Sequence, residues 1–249
     1  MNKIALVTGA SSGIGEATAR RLATAGYDLI LAARRLDRLQ QLAGTLSVES
    51  HLIQLDVRDC KAVNKAIAGL PERWQAIELL INNAGLSRHL EKLHEGHAEA
   101  WDEMIDTNVK GLLYVSRAVI PGMVARGKGH VINVGSIAGH EVYPSGNVYC
   151  ASKFAVDAIT RGMLMDLVDT PVRVSTVDPG MVETEFSKVR FYGDDERAKK
   201  VYQGLKPLTG DDIADTIVWI ASRPEHVNIA QVVVMPKAQA SAMVLHRQQ

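Results

Sequence analysis

The stretch KIALVTGASSGIG, residues 3–15, decides the fold. A short apolar run ends there in a glycine-rich turn, and a segment with helical periodicity follows at once. Glycines allow a tight turn and a close approach to a pyrophosphate, whose charge is met by free N–H groups at the start of a helix. The sequence therefore predicts a strand, a phosphate-binding turn and a helix. The turn residues expected to contact the ligand are Gly9, Ser11, Ser12, Gly13 and Ile14.

Six further apolar runs follow along the chain. They cover residues 28–34, 51–57, 78–85, 130–136, 172–180 and 229–235, and helical periodicity appears between them at 13–26, 102–127 and 152–169. Most of the runs are continuously apolar, which is typical of strands buried on both faces of a parallel sheet. We therefore predict an α/β fold, a single-domain Rossmann-like doubly wound structure over residues 1–249. Its mainly parallel sheet has seven strands, with helices on both faces.

Composition limits the choice of partners. Lysine plus arginine and aspartate plus glutamate are equal at 28 each, so no charge surplus points to nucleic acid or to an anionic membrane. The apolar run near the N-terminus is too short for a signal sequence or a membrane span. Cys60 and Cys150 lie far apart and form no CxxC pair, which fits a reducing compartment. A cytoplasmic protein whose partners are small molecules and copies of itself is expected.

The glycine turn has two competing interpretations. Its spacing is G-x-x-x-G-x-G, which differs from the common G-x-G-x-x-G fingerprint of dinucleotide-binding proteins. The residues from Gly9 to Gly13 also spell G-x-S-x-G, the nucleophile elbow of α/β-hydrolases. A hydrolase needs oxyanion-hole residues from an earlier strand-to-helix loop. Only eight residues precede Gly9, which weakens the hydrolase interpretation. A structural glycine turn without any ligand also remains open at this point.

Two arginines follow the second predicted strand. An acidic residue at this point would accept the 2′-hydroxyl of NAD, but the chain carries Arg34 and Arg35 instead. Two guanidinium groups suit a 2′-phosphate, which favours NADP. The competing interpretation is that both arginines are solvated charges at the start of the next helix, with Asp37 as a salt partner.

The pair Tyr149 and Lys153 suggests proton-transfer chemistry. A free phenol titrates near pH ~10, so it needs an environment that favours the phenolate. Residues four apart share one face of a helix, and an adjacent ammonium is expected to lower the tyrosine pKa. Ser136, at the end of the fifth predicted strand, could hold a substrate oxygen, and Asn108 could fix a water that links Lys153 to solvent. A Y-x-x-x-K pair alone also describes a half-buried tyrosine beside a snorkelling lysine.

Taken together, the motifs resemble those of the short-chain dehydrogenase/reductases over nearly the whole chain. They are TGASSGIG (8–15), Asp56-Val57, NNAG (82–85), Asn108, Ser136, YCASK (149–153), Pro179-Gly180 and Thr184. The resemblance implies hydride transfer between a nicotinamide and a carbonyl/alcohol pair, without a metal. It implies a catalytic set of Asn108, Ser136, Tyr149 and Lys153, with Lys153 and Tyr149 also beside the cofactor. By the same resemblance Asp56 and Val57 flank the adenine, Asn83, Ala84 and Gly85 the adenosine ribose, and Pro179, Gly180, Val182 and Thr184 the nicotinamide.

The segment TEFSKVRFYGDD (184–195) and the C-terminal MPKAQASAMVLHRQ resemble one subgroup. That subgroup comprises NADP-dependent 3-hydroxy acid dehydrogenases acting on L-allo-threonine, serine and 3-hydroxypropionate or 3-hydroxyisobutyrate. The irregular stretch 183–210 is then expected to cover the substrate. A carboxylate in the substrate calls for a cation, and Arg190 or Arg88 could supply it. Either arginine could instead form a structural ion pair with Asp194, Asp195 or Glu91. Two alternatives remain: a broad-specificity NADPH-dependent carbonyl reductase, and a non-catalytic dinucleotide sensor.

Two further patterns concern metal and assembly. Glu91-x-x-His94 and His94-x-x-His97 hint at metal spacing, but no distant ligand set completes them, so a solvated loop without metal is expected. Apolar stripes on two long helices include Leu113 and Phe154. By resemblance such helices pair across a dimer face and the C-terminal segment helps to build a homotetramer, although the same stripes also suit helix-to-sheet packing.

Overall fold

A computed structural model describes residues 2–248 of the chain. Its sheet contains seven strands in the order β3-β2-β1-β4-β5-β6-β7, and every neighbouring pair is parallel. The strands are β1 Lys3–Thr8, β2 Tyr27–Ala33, β3 Ser50–Gln54, β4 Ile77–Asn82, β5 Gly129–Val134, β6 Val172–Pro179 and β7 Gln231–Val234. The predicted seven-stranded doubly wound sheet is confirmed.

Helices connect successive strands. Within the described residues they are α1 Gly13–Thr24, α2 Leu36–Ala43, α3 Cys60–Ala68, α4 Ala98–Ile105, α5 Leu112–Arg126, α6 Asn147–Asp166, α7 Phe186–Arg190, α8 Asp195–Lys200 and α9 Gly210–Ala221. A π-helical segment, Asp106–Gly111, joins α4 to α5 without a break. No helix in residues 2–248 is long and apolar enough to cross a lipid bilayer.

The continuous hydrophobicity of the strands has a direct structural cause. Side chains alternate between the two faces of a strand, and both faces of this sheet are covered. In β1, Ala5 and Val7 enter the core cluster beneath α1 and α9, whereas Ile4 and Leu6 enter the cluster on the other face. A strand between two cores needs apolar residues at every position, so alternation with polar residues is absent.

The strand order creates a crevice at the carboxyl edge of the sheet. From β1 the chain moves outward to β2 and β3, and then returns across the sheet to β4, on the other side of β1. The loops that leave β1 and β4 therefore diverge, and ligands of open α/β sheets bind at such a switch point. The predicted site residues at the ends of the strands therefore lie together at the carboxyl edge of the sheet.

Two boundaries differ from the sequence-based prediction in ways that affect this crevice. Strand β3 ends at Gln54, so Asp56 and Val57 lie in the loop beyond it. Helix α6 begins at Asn147, five residues before the predicted start, which places Tyr149 in its first turn.

The stretch 183–210 contains α7 and α8 joined by turns. It is connected to loop 85–97 by a backbone hydrogen bond, in which the His89 N–H donates to the Arg190 carbonyl at 3.0 Å.

Candidate functional site

One cleft at the carboxyl edge of the sheet collects most of the predicted site residues. They are Gly9, Ser11, Ser12, Gly13, Ile14, Arg34, Arg35, Asp56, Val57, Asn83, Ala84, Gly85, Ser136, Tyr149, Lys153, Pro179, Gly180, Val182 and Thr184. Three predicted residues are not among those lining the cleft. Asn108 lies behind its wall, Arg190 packs against the ring of Tyr149, and Arg88, the other candidate cation, lines a separate small cavity. The sequence-based selection therefore describes one contiguous cavity.

The glycine turn is shaped as a cradle for an anion. Gly9 and Gly13 have φ angles of 65° and 57°, in the left-handed region that favours glycine. A Cβ atom on Gly9 would lie 2.8 Å from the Nδ2 atom of Asn83, so the turn has no room for a side chain there. Helix α1 begins at Gly13, and the Ser12 side chain does not cap it. Its first N–H groups thus remain available to a phosphate.

The loop after β4 holds this turn in place. The Thr8 hydroxyl donates to the Ile81 carbonyl at 3.2 Å and accepts the N–H groups of Asn83 and Ala84, each at 3.0 Å. The Asn83 side chain returns a hydrogen bond to the Thr8 carbonyl at 2.9 Å. These reciprocal bonds pin the two diverging loops against each other, so the cradle is preformed.

Arg35 is tied to the glycine turn. Its guanidinium donates to the Ser12 hydroxyl at 2.8 Å and to the Ser11 hydroxyl at 3.1 Å. Arg34, the other predicted arginine, lines the cleft but is 55% exposed, with its nearest carboxylate, Glu103, 4.0 Å away. The structure therefore gives the two arginines different surroundings, and Arg35 is the one held against the anion cradle.

Glu185 bridges two arginines across the mouth of the cleft. One carboxylate oxygen lies 3.0 Å from Arg35, and the other lies 2.6 Å from Arg38. Burial opposes ionisation of Glu185, but the hydrogen bonds from Arg38 and Arg35 outweigh it and lower the carboxyl pKa below its ordinary value. Glu185 immediately precedes α7, so this ion cluster links the glycine turn to the stretch 183–210.

Tyr149 and Lys153 share the inner face of α6, as the i,i+4 spacing predicts. The Lys153 ammonium donates to the Val134 carbonyl at the end of β5, 2.9 Å away. Burial lowers the lysine pKa to about 8, and the charge of Asp178 opposes that shift. Ser136 follows the same strand, and its hydroxyl accepts the Ala138 N–H at 3.1 Å. The end of β5 thus orients both Lys153 and Ser136 toward the cleft.

The environment of Tyr149 differs from the sequence-based expectation. Burial raises the pKa of its phenol above the ordinary value, and Tyr143 adds to the rise. The charge of Arg190 and the Ser136 hydroxyl act in the opposite direction without outweighing burial. The predicted lowering of the pKa is therefore not met in this state, because desolvation of the phenolate exceeds the stabilisation from nearby cations.

Asn108 has structural partners for both of its N–H groups. Its side-chain amide donates to the Leu86 carbonyl at 2.8 Å and to the Ser152 hydroxyl at 2.9 Å, and its oxygen accepts the Leu86 N–H at 2.8 Å. The Ser152 hydroxyl in turn donates to the Tyr149 carbonyl at 2.7 Å. The predicted water-fixing role would have to use the remaining lone pair of the Asn108 oxygen. What the structure shows is a clamp between loop 85–97 and α6.

The two candidate cations for a substrate carboxylate lie in different environments. The Arg190 guanidinium carbon is 5.4 Å from the centroid of the Tyr149 ring and 5.1 Å from that of Phe186. One of its terminal nitrogens donates to the Tyr143 hydroxyl at 3.3 Å. Its Nε atom is buried and has no partner within the described part of the chain. Arg88 instead forms a bidentate pair with Glu103, at 2.6 and 2.9 Å.

Several residues at this site were missed by the sequence analysis. Arg38 had a usable signal, because it lies three residues after Arg35 and shares one helical face with it. Glu185 and Tyr143 had none, since their contacts with Arg35 and Arg190 span 150 and 47 residues of sequence. Ser152 lies inside the quoted YCASK motif, but its bond to Asn108 depends on the π-helical segment.

Comparison with known proteins agrees with this geometry. A family model described as short chain dehydrogenase matches residues 3–194. An NADP-dependent 3-hydroxy acid dehydrogenase of Salmonella typhi is 48% identical over 246 residues, covering 98% of this chain and 99% of that protein. A sulfoacetaldehyde reductase 2 of Chromohalobacter salexigens is 45% identical over 251 residues, covering 99% and 100%. The closed form of a serine dehydrogenase complexed with NADP+ superposes with a TM-score of 0.94 at 46% identity, covering 98% and 100%.

Proposed function

The chain belongs to the short-chain dehydrogenase family, and on that premise we propose the reaction that it catalyses. It is an oxidoreductase that transfers hydride between NADP(H) and the hydroxyl or carbonyl of a small 3-hydroxy acid. L-allo-threonine, serine and 3-hydroxyisobutyrate represent the substrate class. Relatives named as NADP-dependent 3-hydroxy acid dehydrogenases, at 46–48% identity over nearly the full chain, support this proposal.

The position of Arg190 is the main evidence that the substrate carries a carboxylate. Its guanidinium lies beside the Tyr149 ring, and its buried Nε has no partner among residues 2–248. A buried donor without a partner is costly, and a carboxylate is the group that a guanidinium binds best. A 3-hydroxy acid places its carboxylate two carbons from the reacting alcohol carbon. Arg190 would then bind the acid while Tyr149 contacts the alcohol.

The cleft residues fit NADP. Arg35 and Arg38 would hold the 2′-phosphate, and the free N–H groups at the start of α1 would hold the pyrophosphate. Asp56 and Val57 would flank the adenine, and Asn83, Ala84 and Gly85 the adenosine ribose. The nicotinamide end would contact Pro179, Gly180, Val182 and Thr184. When bound, the cofactor supplies the hydride acceptor in oxidation and the hydride donor in reduction.

Side chains of the protein bind the substrate oxygen and transfer its proton. Ser136 holds the substrate oxygen, and Tyr149 removes its proton in oxidation or returns one in reduction. Burial disfavours the phenolate, and the charge of Arg190 partly offsets that cost. The ammonium of Lys153, one helical turn away, would add to this stabilisation during the reaction. Asn108 fixes the start of α6 through Ser152, and thereby the position of Tyr149.

A second candidate function is the reduction of a small anionic aldehyde. The sulfoacetaldehyde reductase of Chromohalobacter salexigens is 45% identical to this chain. A sulfonate presents the same negative charge and hydrogen-bond acceptors to a guanidinium as a carboxylate does. The same Arg190 environment thus supports either substrate class, and both belong in one assay.

We also propose a cytoplasmic homotetramer of one catalytic domain, residues 1–249, with 183–210 covering the substrate. Apolar side chains on α5 and α6 support an assembly, because Leu113 and Phe154 are exposed. Met165 and Val168, at the end of α6 and just after it, are 73% and 82% exposed. Patches of this kind mark protein contacts. Sedimentation equilibrium tests the assembly: four times the chain mass supports it, and a monomer mass contradicts it.

The substrate assay follows the absorbance of reduced nicotinamide. Purified protein is mixed with NADP+ and L-allo-threonine, L-serine, 3-hydroxyisobutyrate or an uncharged secondary alcohol, and in the reverse direction NADPH is mixed with sulfoacetaldehyde. A kcat/KM at least tenfold higher for the 3-hydroxy acids than for the uncharged alcohol supports the proposal. A preference for sulfoacetaldehyde supports the second candidate. Equal activity on uncharged alcohols, or no turnover, contradicts recognition of an anionic substrate.

A further inference from the structure

A second cluster of reactive side chains lies next to the cleft, in the loop between β4 and α4. His89, Glu91 and His97 converge there, and one ligand atom from each lies within 4.8 Å of the others. His89 Nδ1 is 3.3 Å from one carboxylate oxygen of Glu91, and His97 Nε2 is 3.9 Å from the other. The catalytic proposal uses none of these side chains.

The three residues differ from those in the metal-like sequence patterns. Those patterns used His94, whose ring is 75% exposed and pairs with neighbouring Glu95. In the structure His89, not His94, converges with Glu91 and His97. His89 lies two residues before Glu91, a spacing that a helical pattern does not predict. The two histidine rings lie 5.2 Å apart, between centroids. The loop thus assembles a two-histidine, one-carboxylate set that periodicity does not predict.

The Glu91 side chain is 30% exposed, but its carboxylate is not fully satisfied. One of its oxygens is buried and accepts no hydrogen bond within residues 2–248. No lysine or arginine of the described chain pairs with it, and the neighbouring Arg88 is bound to Glu103. A buried carboxylate oxygen without a donor is unfavourable. A cation held between the two histidines would satisfy it.

The surroundings keep these ligands in place. The Asn147 side chain, at the start of α6, donates to the Glu91 carbonyl at 3.0 Å. The His89 ring packs against the Tyr192 ring, with 4.8 Å between centroids. The backbone N–H of His89 donates to the backbone carbonyl of Arg190 at 3.0 Å. Two histidines and one glutamate form a known zinc ligand set, with bonds of about 2.0–2.2 Å and a fourth position open to water.

We propose that His89, Glu91 and His97 form a binding site for one divalent transition-metal ion of the Zn²⁺ type. Bonds of about 2.0–2.2 Å at tetrahedral angles separate two ligand atoms by about 3.3–3.6 Å. The separation of His89 and Glu91 already meets that value, and the His97 ring is exposed enough to rotate inward. The bound ion would cross-link the 85–97 loop to itself beside α6 and the stretch 183–210. This site is independent of the proposed oxidoreductase function.

The test is isothermal titration calorimetry of the untagged, chelator-treated protein with ZnCl₂. Cys60 is an exposed thiol and a competing zinc ligand, so all variants carry Cys60→Ser. The proposal predicts one ion per chain with a Kd in the micromolar range or tighter. His97→Gln and Glu91→Gln should each raise the Kd at least tenfold, whereas His94→Gln, three residues away, should leave it unchanged.

Cobalt absorption gives a second readout that is independent of catalysis. Co²⁺ bound to a four-coordinate nitrogen and oxygen site should produce visible bands that ZnCl₂ abolishes and that His97→Gln lacks. The exposed position of the His97 ring makes that variant safe for folding. Absence of stoichiometric binding, or equal weakening by His94→Gln and His97→Gln, would overturn the proposal.

Discussion

The guanidinium carbon of Arg190 lies 5.4 Å from the centroid of the Tyr149 ring. These residues belong to α7 and α6, and their approach brings an anion-binding group to the side chain proposed to transfer the proton. The same contact acts on the titration of Tyr149, because the cation partly offsets the cost of burying a phenolate. If Arg190 binds the substrate as proposed, one arginine connects substrate choice with acid-base chemistry.

Arg190→Gln should separate these two effects. We expect KM for a 3-hydroxy acid to rise about 10- to 100-fold, because a charge-assisted hydrogen bond is lost, while KM for an uncharged alcohol changes little. Steady-state kinetics on both substrates measure the difference. Lys188→Gln, an exposed residue of the same helix, is the matched control and should behave as wild type. Equal KM changes for both substrates in Arg190→Gln would refute carboxylate binding by Arg190.

Arg35→Ala should change cofactor preference. The Kd of NADP+ is expected to rise at least tenfold, and that of NAD+ to change less than threefold, because a 2′-phosphate is present only in NADP+. Arg34→Ala should have a smaller effect, since Arg34 lacks the serine contacts that hold Arg35. Fluorescence titration with both dinucleotides gives the values. A loss shared equally by NADP+ and NAD+ would rule out this assignment.

Glu185→Gln should strengthen NADP+ binding. Glu185 neutralises Arg35 and Arg38, and a 2′-phosphate has to compete with it for both. Removing the negative charge is expected to lower the Kd of NADP+ about threefold to tenfold, without change for NAD+. Glu183→Gln serves as the control, because Glu183 is exposed and forms no arginine pair within residues 2–248. Weaker NADP+ binding by Glu185→Gln would show that Glu185 supports the site instead.

Lys153 should give the protein a distinctive pH dependence of stability. Its folded pKa is about 8, below the ordinary 10.5, because burial disfavours the ammonium. Between these values the unfolded chain binds a proton that the folded chain does not, so stability rises with pH. Relative to Lys153→Met, wild type should gain on the order of 3 kcal/mol of unfolding free energy from pH 8 to 10.5. Urea unfolding of both proteins tests this, and a pH-independent difference would contradict it.

How far the sequence predicts this molecule depends on the range of the interaction. The glycine turn and the Tyr149–Lys153 pair are local patterns whose geometry follows from one turn and one helix. Continuous apolar runs predict buried parallel strands because both faces of such a strand are covered. These features could therefore be predicted from the sequence, and the seven-stranded parallel sheet confirms the predicted strands.

The remaining parts of the site depend on contacts that spacing does not encode. Glu185 reaches Arg35 over 150 residues, and that contact requires the stretch 183–210 to fold over the glycine turn. His89 has a left-handed backbone, with φ of 52°, so helical periodicity could not predict its approach to Glu91. The direction of the Tyr149 pKa shift was missed because burial is a property of the packed structure. Long-range packing, not local pattern, decides these features.

The central claim is that Tyr149 carries the proton in a dehydrogenase reaction. The most direct measurement is kcat of NADP+ reduction by the best 3-hydroxy acid for wild type, Tyr149→Phe and Tyr143→Phe, together with the Kd of NADPH for each protein. We expect Tyr149→Phe to lower kcat by about 10²- to 10⁴-fold, with the Kd of NADPH unchanged within threefold, and Tyr143→Phe to lose far less activity. Full activity of Tyr149→Phe would contradict the claim.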